Sequence, residues 1–488
     1  MITSIRSFFI IAVLFGLATQ VSCGQSDPER EGEAPQRPNI ILIVADDLGY
    51  GDLGSYGQMK VRTPVLDQLA SEGIRFTDFY AGSTVCAPSR ASLLTGLHTG
   101  HSSVRENPRW TRSGHPVDFV SEDRLFSEVL QDAGYATAMI GKWGMAEDKR
   151  IVDLATNPAM PLQQGFDYFF GYKHHSDAHH YYWHELYENN EVYLLEDNDY
   201  ETNTGQYTHD LFTEKALDYI DGQKDDKPFL LYLGYTIPHM AITVPPDSKE
   251  PYLDLGWAER KLNTQGHYKH DPEGNTAFAG MVSRMDRDIG RIKTLLEDKG
   301  IDENTLIIFT SDNGHEYDDG FFDSNGLLRG LKRDLYEGGI RVPTIAWWPG
   351  TVPGSKVSSH VGAFWDVLPT FCELARIQEC PASDGVSFLP TLIGSNEEQE
   401  QHQYLYWEFN ESQGPIQAVR SGDWKLVRFL GETPELYNLS SDIGEGYDVA
   451  EKYPDIVQRL TTLLESARAG HPEFPLEWHP RAKPETHP

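Results

Sequence analysis

Several stretches of the chain are almost uniformly apolar rather than alternating. Residues 39–44 read N-I-I-L-I-V, and 137–140, 229–233, 306–310 and 344–348 are of similar kind. Successive strand residues point to opposite faces, so a strand stays apolar throughout only when both faces are covered. Between several of these runs the apolar spacing shifts to the rhythm of amphipathic helices, at 211–220 and 278–296. Thr63-Pro64 predicts another helix running to Gly73, with Thr as cap, Pro in the first turn and Gly as stop. Strand–helix alternation of this kind predicts an α/β fold, with a largely parallel sheet covered on both faces.

The texture changes near residue 396. A polar, charged linker spans 397–403, followed by short strand patterns at 404–409, 418–420 and 424–429 and a helix at 453–469. These predict a small antiparallel α+β subdomain over 396–488, behind a main domain over 38–395. A chain of 488 residues can accommodate both.

At the start, Arg6 precedes an apolar run over 8–18, and small and polar residues end at Ser22-Cys23-Gly24. That is a secretory signal over 1–23. Cys23 reads either as the lipid-modified first residue of a bacterial lipoprotein or as part of a plain cleavage site; Gln20 departs from the usual leucine. The acidic, proline-containing residues 24–37 read as a flexible tether. The expectation is an exported protein, periplasmic or a cell-surface lipoprotein of a bacterium, with a lipid anchor if Cys23 is acylated. No later apolar run approaches membrane-spanning length.

Charge narrows the partners. Lys and Arg number 41 against 74 Asp and Glu, a formal net charge of −33. Phosphate backbones call for basic surface, so nucleic acid is not the expected partner. Such a field also repels anionic small molecules at long range, and an anionic substrate would need local cations. Of four cysteines, Cys372 and Cys380 are placed for a short-loop disulfide in an oxidising compartment.

Residues 86–96 carry the chemistry: C-A-P-S-R-A-S-L-L-T-G. As a bare thiol, Cys86 would lie at a helix start beside Arg90, and both features lower a thiol's pKa. The run also resembles the C-x-P-x-R-x-x-x-L-T-G signature of the formylglycine-dependent sulfatases. In that family the cysteine is oxidised to an aldehyde, formylglycine, whose hydrate is the nucleophile. A second signal is A-D-D at Asp46 and Asp47 with S-D-N-G at Asp312 and Asn313, each pair ending an apolar strand. Oxygen donors of this kind suit a hard divalent cation, and no zinc-type His–Cys cluster is present.

The resemblance spans about 39–429 and implies an alkaline-phosphatase-like α/β/α sandwich with the smaller C-terminal antiparallel sheet. It assigns Asp46, Asp47, Asp312, Asn313 and an oxygen of the modified Cys86 to one calcium ion, with magnesium the alternative. It gives Arg90 the task of holding the nucleophile and the metal carboxylates. Lys142, in G-K-W-G, and Lys332, in L-K-R-D-L-Y-E-G-G, bind sulfate, and His239, in T-I-P-H, protonates the leaving oxygen. One position departs: many members carry histidine where this chain has Gly144, acting when sulfate is expelled. His174, His175, His179 and His180 are first expected to line a substrate pocket, as is His315 after D-N-G; they are also the nearest replacements for the missing histidine, or could bind an adventitious metal. Tyr181, Tyr182 and Trp183 suit either sugar stacking or the core.

The expected function is hydrolysis of sulfate esters, exo-acting on a sulfated saccharide, after a formylglycine-generating enzyme has modified Cys86. A galactose-type 4-sulfate is the first trial substrate. Two alternatives stand: a phosphonate monoester or phosphodiester hydrolase on the same fold, and a non-catalytic sulfated-glycan-binding lipoprotein.

Overall fold

The computed structural model describes residues 1, 37–107, 118–120, 122–147, 152–224, 226–263, 266–317, 320–410 and 415–476. Residues 2–36, which hold Cys23 and all of the signal and tether but their outermost residues, lie outside the described residues. The chain divides into two compact units, Met1–Gln36 and Arg37–Pro488, and the second carries everything below.

Its centre is a ten-stranded sheet in the order Lys356–Ser358, Ile74–Phe76, Thr344–Trp347, Thr305–Ser311, Asn39–Ala45, Phe229–Gly234, Ala136–Lys142, Tyr168–Tyr172, Glu185–Glu188, Glu191–Leu194. The five strands from Thr305–Ser311 to Tyr168–Tyr172 are mutually parallel. The sheet is mixed, not parallel throughout. Thr344–Trp347 runs antiparallel to both its neighbours, and Glu185–Glu188 and Glu191–Leu194 form an antiparallel extension at the far side.

The apolar runs are apolar because both faces are covered. Ile41 and Ile43 pack with the helices Pro64–Glu72, Thr208–Asp221 and Gly274–Lys299; Ile40, Leu42 and Val44 pack with Cys86–Thr95, Phe126–Asp132 and Val367–Leu374. The two-residue strand period thus divides one hydrophobic run between two cores. The helix expected at 278–296 is longer, Gly274–Lys299, and ends on Gly300 at φ 65°, where glycine accepts the left-handed turn without a Cβ clash. The cap expected from Thr63 is absent. Its Oγ1 instead accepts the N–H of Gly54 at 2.9 Å.

A separate four-stranded antiparallel sheet follows: Leu405–Phe409, Ile416–Ser421, Trp424–Phe429 and Glu435–Asn438. Tyr406, Val419, Leu426 and Leu436 meet Leu460 and Leu464 of the helix Pro454–Ser466, while Leu405, Trp407 and Phe409 face Tyr80 and Trp365. The segment expected to be a polar linker is tied down. Gln399 is buried, donates to Ser387 O at 2.8 Å and accepts from the Thr391 hydroxyl at 2.7 Å. Cys372 and Cys380 are disulfide-bonded. Among the described residues, no helix is long and apolar enough to cross a membrane.

Candidate active site

Parallel strands place their carboxyl ends on one edge of the sheet, where open α/β sheets bind ligands. Four adjacent strands deliver side chains there. Asp46 and Asp47 follow Asn39–Ala45, Asp312 and Asn313 follow Thr305–Ser311, Lys142 ends Ala136–Lys142, and His239 lies in the loop after Phe229–Gly234.

Two consecutive strand residues should face opposite ways. Asp47 escapes this by adopting φ 61°, a left-handed conformation that aspartate tolerates better than most residues. Both carboxylates then reach one thiol: Cys86 Sγ lies 3.3 Å from Asp46 Oδ1 and 3.9 Å from Asp47 Oδ1. The Asp47 N–H donates to Asp312 Oδ1 at 3.1 Å, joining the two strand ends.

Cys86 opens the helix Cys86–Thr95, every residue of which is buried. Pro88 therefore sits two residues inside the helix, in the first turn, where a backbone N–H has no intrahelical partner to lose. Arg90, one turn on, donates from Nε to Asp312 Oδ2 at 2.8 Å and from Nη1 to Lys142 O at 3.2 Å. Lys142 Nζ donates to Asp46 Oδ2 at 2.7 Å, and Lys332 Nζ to Asp47 Oδ2 at 2.7 Å and Glu316 Oε2 at 3.2 Å.

The thiolate expectation fails. Burial first, then the Asp46 carboxylate, push the Cys86 thiol well above its usual range, outweighing Lys142 and Lys332. Its enclosure therefore favours the protonated thiol.

The donor set fits a hard cation. Three carboxylates and one amide converge, and Asn313 Oδ1 is buried with no partner while its Nδ2 donates to Asp47 Oδ1 at 2.7 Å. A buried, unsatisfied amide oxygen is costly unless something electropositive meets it. Burial opposes ionisation of Asp46, yet Lys142 above all, with Arg90 and Lys332, holds its carboxyl well below the usual range. Burial wins at Asp47 and Asp312, both pushed up. The resident cations therefore leave part of the carboxylate charge uncompensated. A second trio, His98, His101 and Asp384, also lies within ligand reach of itself. There the Gly100 N–H donates to His98 Nδ1 at 3.1 Å, so a neutral ring carries its proton on Nε2 and has no lone pair left for an ion.

His239 Nε2 faces Asp47 Oδ2 at 3.5 Å and Glu316 Oε2 at 3.9 Å, and its Nδ1 bonds Met240 O. A carbonyl can only accept, so Nδ1 carries the proton and Nε2 the lone pair. Burial, then Lys332, and more weakly Lys142, lower the ring pKa to about 3 against the pull of Asp46.

The histidine-rich segment divides. His175 and His179 are buried at the site, with His179 stacked on His239 at 4.6 Å and meeting His175 edge-on at 5.1 Å. His174 is tied to Asp177 at 2.9 Å, and His180 packs against Trp183 and Tyr200. The His315 ring nitrogens lie against main-chain oxygens of Asp47 and Tyr317. Tyr181 and Tyr182 belong to the core; Trp183 is half-buried. Sequence reasoning missed Glu316, whose carboxyl is held low against burial by Lys332 and Arg333. Its place four residues after Asp312 was the one available signal.

A model of the sulfatase family matches residues 38–377, and one of the N-sulphoglucosamine sulphohydrolase C-terminal region matches 321–470. The N-acetylgalactosamine-6-sulfatase of Canis lupus familiaris is 30% identical, over 88% of this chain and 86% of its own. The N-acetylgalactosamine-6-O-sulfatase of Bacteroides thetaiotaomicron is 29% identical, over 94% of this chain and 98% of its own. The crystal structure of Ps i-CgsB in complex with k-i-k-neocarrahexaose superposes with a TM-score of 0.72 at 26% identity, covering 91% of this chain and 95% of that one.

Proposed function

The chain belongs to the sulfatase family and is a sulfuric ester hydrolase, and on that premise we propose that it removes sulfate from a saccharide by a formylglycine mechanism. The observation that carries this reading is the meeting of Cys86 with two carboxylates, inside a ring of three buried cations. A thiol pushed up by burial is a poor nucleophile, whereas an oxygen nucleophile made from the same residue suits the surrounding oxygen donors.

Asp46, Asp47, Asp312 and Asn313 would hold a divalent ion, calcium before magnesium, with an oxygen at residue 86. Bound there, the ion would make that oxygen more acidic and polarise the sulfate. Arg90 keeps Asp312 and the helix carrying residue 86 in register. Lys142 and Lys332 lie either side of the thiol's carboxylate partners and supply cations for a sulfuryl group as its charge grows. A ring nitrogen of His239 lies within 4.8 Å of Cys86 Sγ, and the Nε2 lone pair faces Asp47 and Glu316. A bound sulfate ester offsets the lysine charge that keeps this ring neutral, so the proton needed by the leaving oxygen can reside there.

The relatives named for N-acetylgalactosamine 6-sulfate and the bound neocarrahexaose favour a sulfated sugar, and put a 6-sulfated amino sugar beside the galactose-type 4-sulfate as trial substrates. Export and exposure to a formylglycine-generating enzyme belong to the same reading. The test is sulfate release from a panel of sulfated mono- and oligosaccharides, using protein produced with that maturation enzyme, together with the mass of the Cys86 peptide. Release from saccharides by protein carrying the aldehyde is the expected result. A fully matured protein that binds the panel but releases no sulfate would make it a binding protein instead.

A further inference from the structure

Gly144 leaves the site without the side chain that the resemblance assigns to sulfate expulsion, and the neighbouring strand fills the space. The strands Ala136–Lys142 and Tyr168–Tyr172 are paired in parallel, Lys142 opposite Tyr172, and the Trp143 N–H continues the ladder to Tyr172 O at 3.0 Å. The two chains therefore leave the sheet side by side, and Gly144 comes to lie against His175. Gly144 has φ 69°, a conformation strained for any residue with a side chain. A Cβ there would point at His175, 3.7 Å from its Cα and 3.8 Å from its Nδ1.

We infer that His175 is the base that assists sulfate release in this chain, a step that rests on the formylglycine reading above. The O–H bond at residue 86 breaks and its proton passes to the imidazole. The bonding pair becomes the second bond of the aldehyde C=O, and the C–O bond to sulfate breaks with its pair departing on sulfate.

Three observations single out this histidine. Its ring is buried and Nδ1, 3.8 Å from where a Gly144 Cβ would lie, has no hydrogen-bond partner, an arrangement that costs stability. Its position is fixed from behind, by a hydrogen bond from its backbone N–H to Glu147 and by the edge-on contact with His179. The other histidines are placed differently: His174 with Asp177, His180 with Trp183 and His315 with Asp47 and Tyr317 main chain, while His179, whose ring nitrogens are also unpartnered, is stacked on His239 rather than set against Gly144. Burial, then Lys142, keep the His175 ring unprotonated, as a base must be.

The experiment follows the enzyme through one turnover of 4-nitrophenyl sulfate, with intact mass and the mass of the residue-86 peptide as second readout. Wild type and His179→Ala are expected to carry no sulfate adduct after the phenol is released. In His175→Ala a burst of about one equivalent of phenol should precede a steady rate lower by about 10²–10⁴-fold, the usual worth of a general base, and the sulfate should remain on the residue-86 peptide. His175→Gln, which keeps the volume without the basic nitrogen, should behave alike and covers the case in which alanine unfolds the loop. Steady rates near wild type with no adduct in both variants would overturn the inference alone, as would loss of the burst itself. An unmodified Cys86 in active wild-type protein would overturn the formylglycine reading along with it.

Discussion

Arg90 grips Asp312 through two nitrogens, Nε and Nη2, each 2.8 Å from Oδ2, with both side chains buried. The pair ties the helix that carries Cys86 to the strand end that carries Asn313. Removing one partner leaves an uncompensated buried charge, which costs about 3–5 kcal/mol. Arg90→Ala should lose that much in urea denaturation with chelator present. Arg90→Lys should recover little, because an ammonium cannot reproduce the two-nitrogen grip. Lysine matching wild type would mean that charge alone matters here.

Metal removal tests the oxygen cluster. Chelation should lower the melting temperature, and calcium at a hundredfold above its dissociation constant should restore about 2.7 kcal/mol. Asn313→Ala removes the amide oxygen that has no partner within the protein. It should weaken calcium binding, and the lost Nδ2 hydrogen bond to Asp47 should also cost the chelated protein about 0.5–1.5 kcal/mol. A calcium response unchanged in Asn313→Ala would place the ion elsewhere.

Cys86→Ala should abolish turnover while the far-ultraviolet circular dichroism stays as in wild type, since one sulfur is lost from a helix held by its neighbours. Paired rates on aryl sulfate and aryl phosphate should favour sulfate. A strong preference for phosphorus would support the phosphonate or phosphodiester alternative.

His239→Ala should depend on the leaving group. Activated aryl sulfates depart without help, whereas sugar alkoxides need a proton. The loss in kcat/KM is expected to be small for 4-nitrophenyl sulfate and about 10²–10⁴-fold for a sugar sulfate. Equal losses on both would remove His239 from the acid role.

A pH effect should come from His402, outside the cluster of acidic side chains around Cys86. His402 Nε2 meets the buried Asp366 Oδ1 at 2.7 Å; burial disfavours the charged ring, but Asp366 raises its pKa above the usual value. A raised folded pKa stabilises fully below the unfolded value, about 6.5, and the gain disappears as pH climbs through the folded one. His402→Gln should therefore cost more stability at about pH 5.5 than at about pH 8.5 in paired urea titrations. The reverse order would contradict the pairing.

Much of this site was legible in the residues. The runs at 39–44 and 306–310 announced strands covered on both faces, and the acidic pairs after them stood where such strands present ligands. Cys86 with Arg90 was equally plain, because a helix turn brings residues four apart to one side. What the pattern misjudged was electrostatic. The helix start and Arg90 argued for a thiolate, but burial, with the Asp46 carboxylate beside it, reversed the sign, and enclosure is a property of the whole fold.

The sequence by itself determined which segments are buried strands, which side chains end them, and that oxygen donors and cations would gather around Cys86. Polarity is written locally, residue by residue. Only the tertiary structure decided that Asn39–Ala45 lies between Thr305–Ser311 and Phe229–Gly234, that Thr344–Trp347 runs against its neighbours, and that His175 faces Gly144 while His174 turns to Asp177. An apolar run reads the same whichever partner it takes and whichever way it points. Those choices are made by packing between residues hundreds of positions apart.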